Sequence, residues 1–207
     1  MRAASVMQFG LGLALLACQE KAPVRDEAIT GLQVALMERL RSDQAIRDTV
    51  FGNGAPMDAL AVARMQRVDA DNTTWLKQQI RMRGWPSPAK VGKAAGDAAF
   101  LLVQHATHDP TFQRMILDTI SLAFERGEVD GQSYALLFDR VRTQAGQKQR
   151  YGTQAKLVGK RIVFERMEDS ARVNSLRKTV GLPSLEVYRR TLDSVYFSKA
   201  KPAPNPR

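Results

Sequence analysis

The feature that most constrains the fold of this chain is an apolar run near its middle. Residues 94–103 read Ala-Ala-Gly-Asp-Ala-Ala-Phe-Leu-Leu-Val. The segment from Ala89 to Ala106 contains no proline, so it can form one helix with apolar side chains on nearly every side. Because such a helix has to be covered by other elements, we expect it at the centre of the fold.

Four further segments have apolar residues at helical intervals, which predicts a helix in each. They are Ile29, Leu32, Leu36 and Leu40; Leu60, Met65, Val68, Leu76 and Ile80; Phe112, Ile116, Ile120 and Phe124; and Tyr134, Leu137, Phe138 and Val141. Gly52–Pro56 and Gly84–Pro88 interrupt the pattern. Asp109, followed by Pro110, and Asp130 are suitable N-caps for the later helices.

The only strand signal follows these helices. Ala155–Val158 and Arg161–Arg166 flank the pair Gly159-Lys160, which is typical of a β-hairpin. Gly181 and Pro183 then separate two closing helices. The sequence therefore predicts a mainly α fold, a single helical-bundle domain over 26–197 with one small β-hairpin near 154–166.

The only cysteine, Cys18, ends an apolar run that follows the cation Arg2. Leu15-Leu16-Ala17-Cys18 resembles a bacterial lipoprotein signal, in which residues 1–17 are removed and Cys18 is lipidated. The run is shorter than the about 20 apolar residues of a spanning helix. The alternative is a cleaved secretory signal with a chance cysteine.

Lipidation of Cys18 predicts a protein anchored to a membrane of the cell envelope. Gln19 follows the cysteine, and in the lipoproteins that this signal resembles a residue other than Asp usually permits transfer to the outer membrane. The resemblance therefore implies the periplasmic face of the outer membrane. Residues 18–25 would form a tether and 198–207 a disordered tail. The chain has a formal charge of +10, and loss of Arg2 with the signal would leave +9. Since this charge is scattered, it indicates a solvated basic face and no nucleic-acid partner.

No phosphate loop, nucleophile elbow or His-Glu-x-x-His motif is present, and we predict no cofactor. The candidate acid or base is His105, preceded by Gln104 at the end of the central helix. The helix dipole favours its cationic form and burial opposes it, although it can equally be a hydrogen-bonded core histidine. His105, His108 and Asp109 suggest a metal site, but Pro110 spoils their shared face, so we predict none.

Polar residues further along the chain could complete a site around His105. Asp139 could orient the imidazole, and Arg140 could clamp a carboxylate, although both could simply form structural pairs. Gln147, Gln149, Tyr151, Thr153 and Gln154 form a loop rich in hydrogen-bonding groups, which suits a ligand or simply braces the loop. Trp85 could be a stacking wall beside this loop or a plug between helices.

Several short motifs occur in a fixed order along the chain. They are Gly84-Trp85-Pro86-Ser87, Val91-Gly92, Gln104-His105-Ala106, Asp109, Phe112-Gln113, Asp139-Arg140-Val141, Gly146-Gln147, Tyr151-Gly152-Thr153-Gln154, Asp169, Val173, Arg177 and Gly181-Leu182. This set resembles the bacterial family catalogued as domain of unknown function 6624, over roughly Leu40 to Tyr188. Asn174 departs from it, since similar proteins tend to have an acidic residue there. The resemblance implies no reaction, cofactor or substrate.

Three functions are consistent with these residues. The first is an envelope lipoprotein that binds a small polar ligand or a peptide, with Trp85, Gln104, His105, Arg140, Gln147, Tyr151 and Gln154 around the pocket. The second is a hydrolase or transferase in which His105 is the base, Asp139 orients it, and Arg140 or Tyr151 stabilises negative charge. The third is a structural or interaction module at the membrane.

Overall fold

The computed structural model describes residues 24–51, 58–159 and 161–197. Within these ranges the chain forms seven helices and one two-stranded sheet, which confirms the mainly α fold. In chain order the elements are α1 (Val24–Phe51), α2 (Ala59–Arg83), α3 (Pro88–His105), α4 (Pro110–Glu125), α5 (Gly131–Gln144), β1 (Ala155–Val158), β2 (Arg161–Phe164), α6 (Val173–Thr179) and α7 (Leu185–Phe197). The predicted signal, Cys18, the start of the tether, the break at 52–56 and the tail from 198 lie outside the described residues.

Helix α3 lies at the centre of the bundle, as its composition predicts. It contacts α1, α2, α4 and α5, and Ala98, Ala99 and Val103 have no exposed surface. The helix is kinked at Gly92, which has a φ of 74°, a conformation that favours glycine. The freed carbonyl of Val91 instead accepts a hydrogen bond of 2.9 Å from Gln33 Nε2 on α1, so the kink also ties α3 to α1.

Aliphatic side chains from the surrounding helices complete this core. Leu36 of α1, Leu76 of α2, Ile116 and Ile120 of α4 and Leu137 of α5 are fully buried against α3. Burial of a side chain of this size contributes about 1.5–3 kcal/mol relative to leaving it in water. The bundle therefore holds its helices in fixed positions, and these positions determine where the polar side chains described below meet.

Side-chain caps set the helix starts that the sequence predicts. Asp109 accepts a hydrogen bond of 3.0 Å from Phe112 N at the start of α4, and Asp130 accepts one of 2.8 Å from Ser133 N at the start of α5. Such a cap stabilises a helix by about 1 kcal/mol. Asp58 caps α2 in the same way.

The predicted hairpin is also present, with β1 and β2 antiparallel and Ala155 opposite Phe164. A second, smaller core of Ala135, Tyr151 and Val180 packs between α5, the loop after it and the end of α6. No helix among the described residues is long and apolar enough to cross a membrane.

Candidate functional site

Five buried polar side chains lie on α1, α2 and α3, three helices that pack against one another. They are Asp43 of α1, Asp69, Asn72 and Thr73 of α2, and Gln104 of α3. Asp43 lies seven residues after the buried Leu36 and seven before the buried Val50, so a carboxylate occupies a core position of α1. Buried carboxylates are rare unless they are paired, so the partners of Asp43 indicate what this position does.

Asp43 is hydrogen-bonded to His105 across the α1–α3 interface. His105 Nδ1 lies 2.9 Å from each of the two carboxylate oxygens. Arg47 Nη1 donates to the same carboxylate at 2.7 Å, and its Nη2 donates to Asp69 at 2.7 Å. Arg47 therefore bridges the two acids and compensates part of their charge, while Asp43 fixes the orientation of the imidazole.

The other ring nitrogen of His105 is not used in this network. The His105 side chain is 19% exposed, and among the described residues its Nε2 makes no hydrogen bond. An ionised carboxylate can only accept, so the neutral imidazole carries its proton on Nδ1 and a lone pair on Nε2. A carboxylate orients the imidazole in the same way at many general bases.

Asp43, Asp69 and His105 are also the described residues that could hold a metal ion. Their ligand atoms all lie within 4.8 Å of one another. The Arg47 guanidinium already lies between the two carboxylates, so a cation would have to displace it. The trio suggested by the sequence is different, since His108 is exposed and Asp109 pairs with Lys77 and caps α4.

Arg140 reaches this region from α5. Its Nη1 donates to the carbonyl oxygen of Gln104 at 2.6 Å, one residue before His105. Its Nε is buried without a hydrogen-bond partner among the described residues. Burial lowers the pKa of the guanidinium, the Tyr188 phenol opposes this, and the neighbouring charge of Arg47 lowers the pKa further, yet arginine remains protonated. Arg140 lines a cavity of about 160 Å³ together with Thr153, Gln154 and Tyr188.

Asp139, the neighbour of Arg140, does not orient His105, which is a correction to the expected role. Its carboxylate is fully buried and accepts from the backbone N–H groups of Arg150, Tyr151 and Thr153 at 2.7–3.1 Å. The Thr153 hydroxyl donates to it as well, at 3.0 Å. Asp139 therefore fixes the loop after α5, and Asp43 takes the position beside the histidine.

Tyr151 is part of the second core. Its ring packs edge-on against Tyr134 and Phe138, with centroids 6.1 and 5.6 Å away, and its residue is only 6% exposed. Burial, with the proximity of Tyr134, raises the pKa of its phenol to about 12. Arg177 donates to the Tyr151 carbonyl at 2.7 Å, which further fixes the loop. The ring of Tyr151 is thus packed against aromatic rings of α5, whereas the ring of His105 is hydrogen-bonded to Asp43 of α1. The two side chains therefore have different neighbours.

The remaining predicted residues divide between two places. Gln154 shares the cavity of Arg140, and Gln104 supplies the carbonyl that Arg140 binds. Trp85 packs against the main core and lines a different cavity of about 270 Å³, while Gln147 is exposed. The structure therefore places Arg140 and Gln154 at one cavity that His105 does not line. The Gln104 carbonyl links Arg140 to the end of α3 that carries His105, and the other predicted residues lie elsewhere.

Sequence reasoning missed Asp43, Arg47 and Asp69. The signal for Asp43 was its position on the stripe of Leu36, where a helix facing the core needs an apolar residue. Arg47 follows it by one helical turn, which places the two side chains next to each other. Asp69 falls likewise on the buried face of α2. An acid in register with core residues is thus a usable marker of a buried polar site.

Comparison with known proteins adds the family. The chain matches the family of unknown function DUF6624 over residues 30–201. It belongs to DUF6624. This confirms the resemblance drawn from the ordered motifs, and the matched span includes every residue of the Asp43–His105 network and of the Arg140 cavity. No curated protein and no solved structure gives a significant match.

Proposed function

We propose that this DUF6624 protein is a lipid-anchored cell-envelope protein that binds a small polar ligand or a peptide beside His105. The observation that carries the proposal is the Asp43–His105 hydrogen bond, which fixes the imidazole and leaves Nε2 free. A buried carboxylate that only stabilised the core would not need a partly exposed partner with an unused nitrogen. Ligand sites characteristically combine a few such oriented polar groups with a cavity.

Two neighbours support binding at this position. Arg140 is bonded to the residue before His105 and borders a cavity of about 160 Å³. Gln154 extends into the same cavity wall from the loop that Asp139 holds in place. Arg140 and Gln154 therefore supply hydrogen-bonding groups from two segments to one cavity, and the bond from Arg140 to the Gln104 carbonyl joins this cavity to the segment that carries His105.

Ligand binding is tested by thermal unfolding against envelope metabolites and cell-wall fragments. A ligand present at 100 times its Kd stabilises the protein by about 2.7 kcal/mol. We expect a ligand that stabilises the wild type and the His108→Gln control but not the His105→Gln variant. Equal stabilisation of all three proteins would show that the ligand binds away from His105.

The anchor is a separate part of the proposal, supported by Leu15-Leu16-Ala17-Cys18. In the native bacterium, metabolic labelling with a palmitate analogue should label the wild type and leave Cys18→Ser unlabelled. The variant should also leave the outer-membrane fraction. Unlabelled wild-type protein in the soluble periplasmic fraction would contradict lipidation and support a plain secretory signal.

A second candidate is a hydrolase or transferase, which the orientation of His105 by Asp43 favours. His105 Nε2 would accept the proton from water or from a substrate hydroxyl, and Arg140 would stabilise negative charge that develops on the substrate. Removal of a general base typically lowers the rate by about 10²–10⁴-fold. A panel of esters and phosphoesters tests this, because turnover has to fall in both His105→Gln and Asp43→Asn while both variants remain folded.

A further inference from the structure

We infer that the cavity beside Arg140 binds a small carboxylic acid through the Nε and Nη2 edge of the guanidinium. This inference rests on the proposed function, because it names the ligand class for the same region. Nη1 is engaged by the Gln104 carbonyl. Among the described residues Nε and Nη2 have no hydrogen-bond partner, and Nε is buried. Two parallel N–H groups on one edge match the two oxygens of a carboxylate.

The charge of Arg140 points to the same ligand class. No carboxylate among the described side chains forms an ion pair with Arg140, and Arg47 adds a second positive charge nearby. Arg47 is compensated by Asp43 and Asp69, whereas Arg140 has the Gln104 carbonyl and the nearby Tyr188 phenol but no carboxylate among the described residues. A desolvated guanidinium without a counter-ion is costly to the fold, and an anion would provide the missing charge.

Arg177 provides an internal comparison, because burial lowers the pKa of its guanidinium as well. Its Nε donates to the Pro183 carbonyl at 2.6 Å and its Nη1 to the Tyr151 carbonyl at 2.7 Å. The Tyr188 ring covers its face at 4.9 Å. The Nε of Arg177 is thus used to hold the fold together, while the Nε of Arg140 is buried without a partner among the described residues, on a side chain that lines the cavity.

The size and walls of the cavity limit the rest of the ligand. About 160 Å³ is room for roughly five water molecules at about 30 Å³ each. Leu136, Ile162 and Leu192 contribute apolar surface to the wall of the cavity. Lys156 also lines the cavity, but it is already paired with Glu165 at 3.0 Å. We therefore expect an acid with a short apolar body of about four carbons, held by Arg140.

The test measures thermal unfolding of the full-length protein with butyrate, with its neutral analogue butyramide, and with inorganic phosphate, all at one ionic strength. At about five times Kd, butyrate should raise the Tm of the wild type by about 2–4 °C. Butyramide should have no effect, and phosphate a smaller one than butyrate. The Arg140→Lys variant, which keeps the charge but loses the fork, and Arg140→Met should lose the response. Arg114→Met, at an exposed arginine of α4, should keep it.

Each other outcome would overturn the inference. Equal shifts with butyrate and butyramide would show that the carboxylate is not recognised. Equal Tm increases with phosphate and with butyrate would show that the cavity binds anions in general and does not select a carboxylate. If butyrate did not change the Tm of the wild type, the cavity would not be a site for a small carboxylic acid. The proposed function fails separately: if butyrate binds equally well to His105→Gln, the carboxylate site stands and binding beside His105 does not.

Discussion

Asp139 and Arg140 are neighbours in α5, yet the structure uses them in opposite ways. Asp139 is fully buried, and its carboxylate accepts hydrogen bonds from three backbone N–H groups and one hydroxyl. The side chain of Arg140 makes one hydrogen bond among the described residues and leaves a buried Nε without a partner. A fully paired polar group stabilises the fold, and an incompletely paired one indicates a place where something else can bind.

The same contrast extends to the surroundings of the two residues. Five buried side-chain atoms lack a partner among the described residues: Asn72 Nδ2, Trp85 Nε1, Gln104 Nε2, Gln113 Oε1 and Arg140 Nε. All except the Trp85 atom belong to the buried polar residues of α2 and α3, Asn72 and Gln104, or to Gln113 and Arg140, which bond to the Gln104 carbonyl. None belongs to the loop that Asp139 holds. The loop therefore has its buried polar side-chain atoms paired and is structural, and the region of His105 and Arg140 is the candidate for function.

The largest expected effect is that of Asp139→Ala. The substitution removes the acceptor of three buried N–H groups and of the Thr153 hydroxyl, and it should lower the free energy of unfolding by about 3–5 kcal/mol. Urea denaturation measures this, with Asp118→Ala, at an exposed position of α4, as the control. A loss below about 1 kcal/mol would show that the loop does not depend on Asp139.

A smaller effect is expected from the phenol of Tyr151 at alkaline pH. Its pKa is about 12 in the folded protein against 10.0 in the unfolded chain, so the folded state holds this proton more tightly. The resulting stability is fully present below pH 10 and is lost as pH rises through 12, by about 2–3 kcal/mol. Tyr151→Phe has no such proton, so its stability should fall less than that of the wild type over this window. If the free energy of unfolding fell equally with pH in both proteins, the phenol would have the same pKa in the folded and the unfolded chain.

The smallest effect on stability is expected for Arg140→Met. The substitution removes an unpaired guanidinium from a buried position, and the Gln104 carbonyl keeps its hydrogen bond from Gln113 at 3.2 Å. The free energy of unfolding should therefore change by less than about 1 kcal/mol, in either direction. If Arg140→Met destabilised the protein as much as Asp139→Ala, the two residues would both be structural and the contrast between them would be lost.

The sequence predicted the helices better than it predicted the site. The reason is that helix signals lie within one segment, whereas the residues of the site are far apart in sequence. The apolar pattern of α3 and the caps Asp109 and Asp130 act within one helix, so they are visible locally. His105 and its acceptor Asp43 are 62 residues apart. Their contact depends on how α1 packs against α3, which no local pattern specifies.

Asp139 shows the same limit in another way. It was a reasonable partner for His105 by residue type, but its actual partners begin 11 residues later, in the loop after α5. Arg140 and Gln154 were both identified as ligand-binding candidates, and they do line one cavity. The sequence does not show that Nη1 of Arg140 binds the Gln104 carbonyl, 36 residues away, while Nε has no partner among the described residues.

The most direct test of this account is a nuclear magnetic resonance titration of the two histidine rings of the full-length protein with butyrate. The chain has only His105 and His108, and the exposed His108 serves as the internal control. We expect the His105 ring resonances to shift and saturate, the His108 resonances to stay unchanged, and the response to vanish in Arg140→Met. Unchanged His105 resonances at saturating butyrate, or equal shifts of both rings, would contradict a binding site shared by His105 and Arg140.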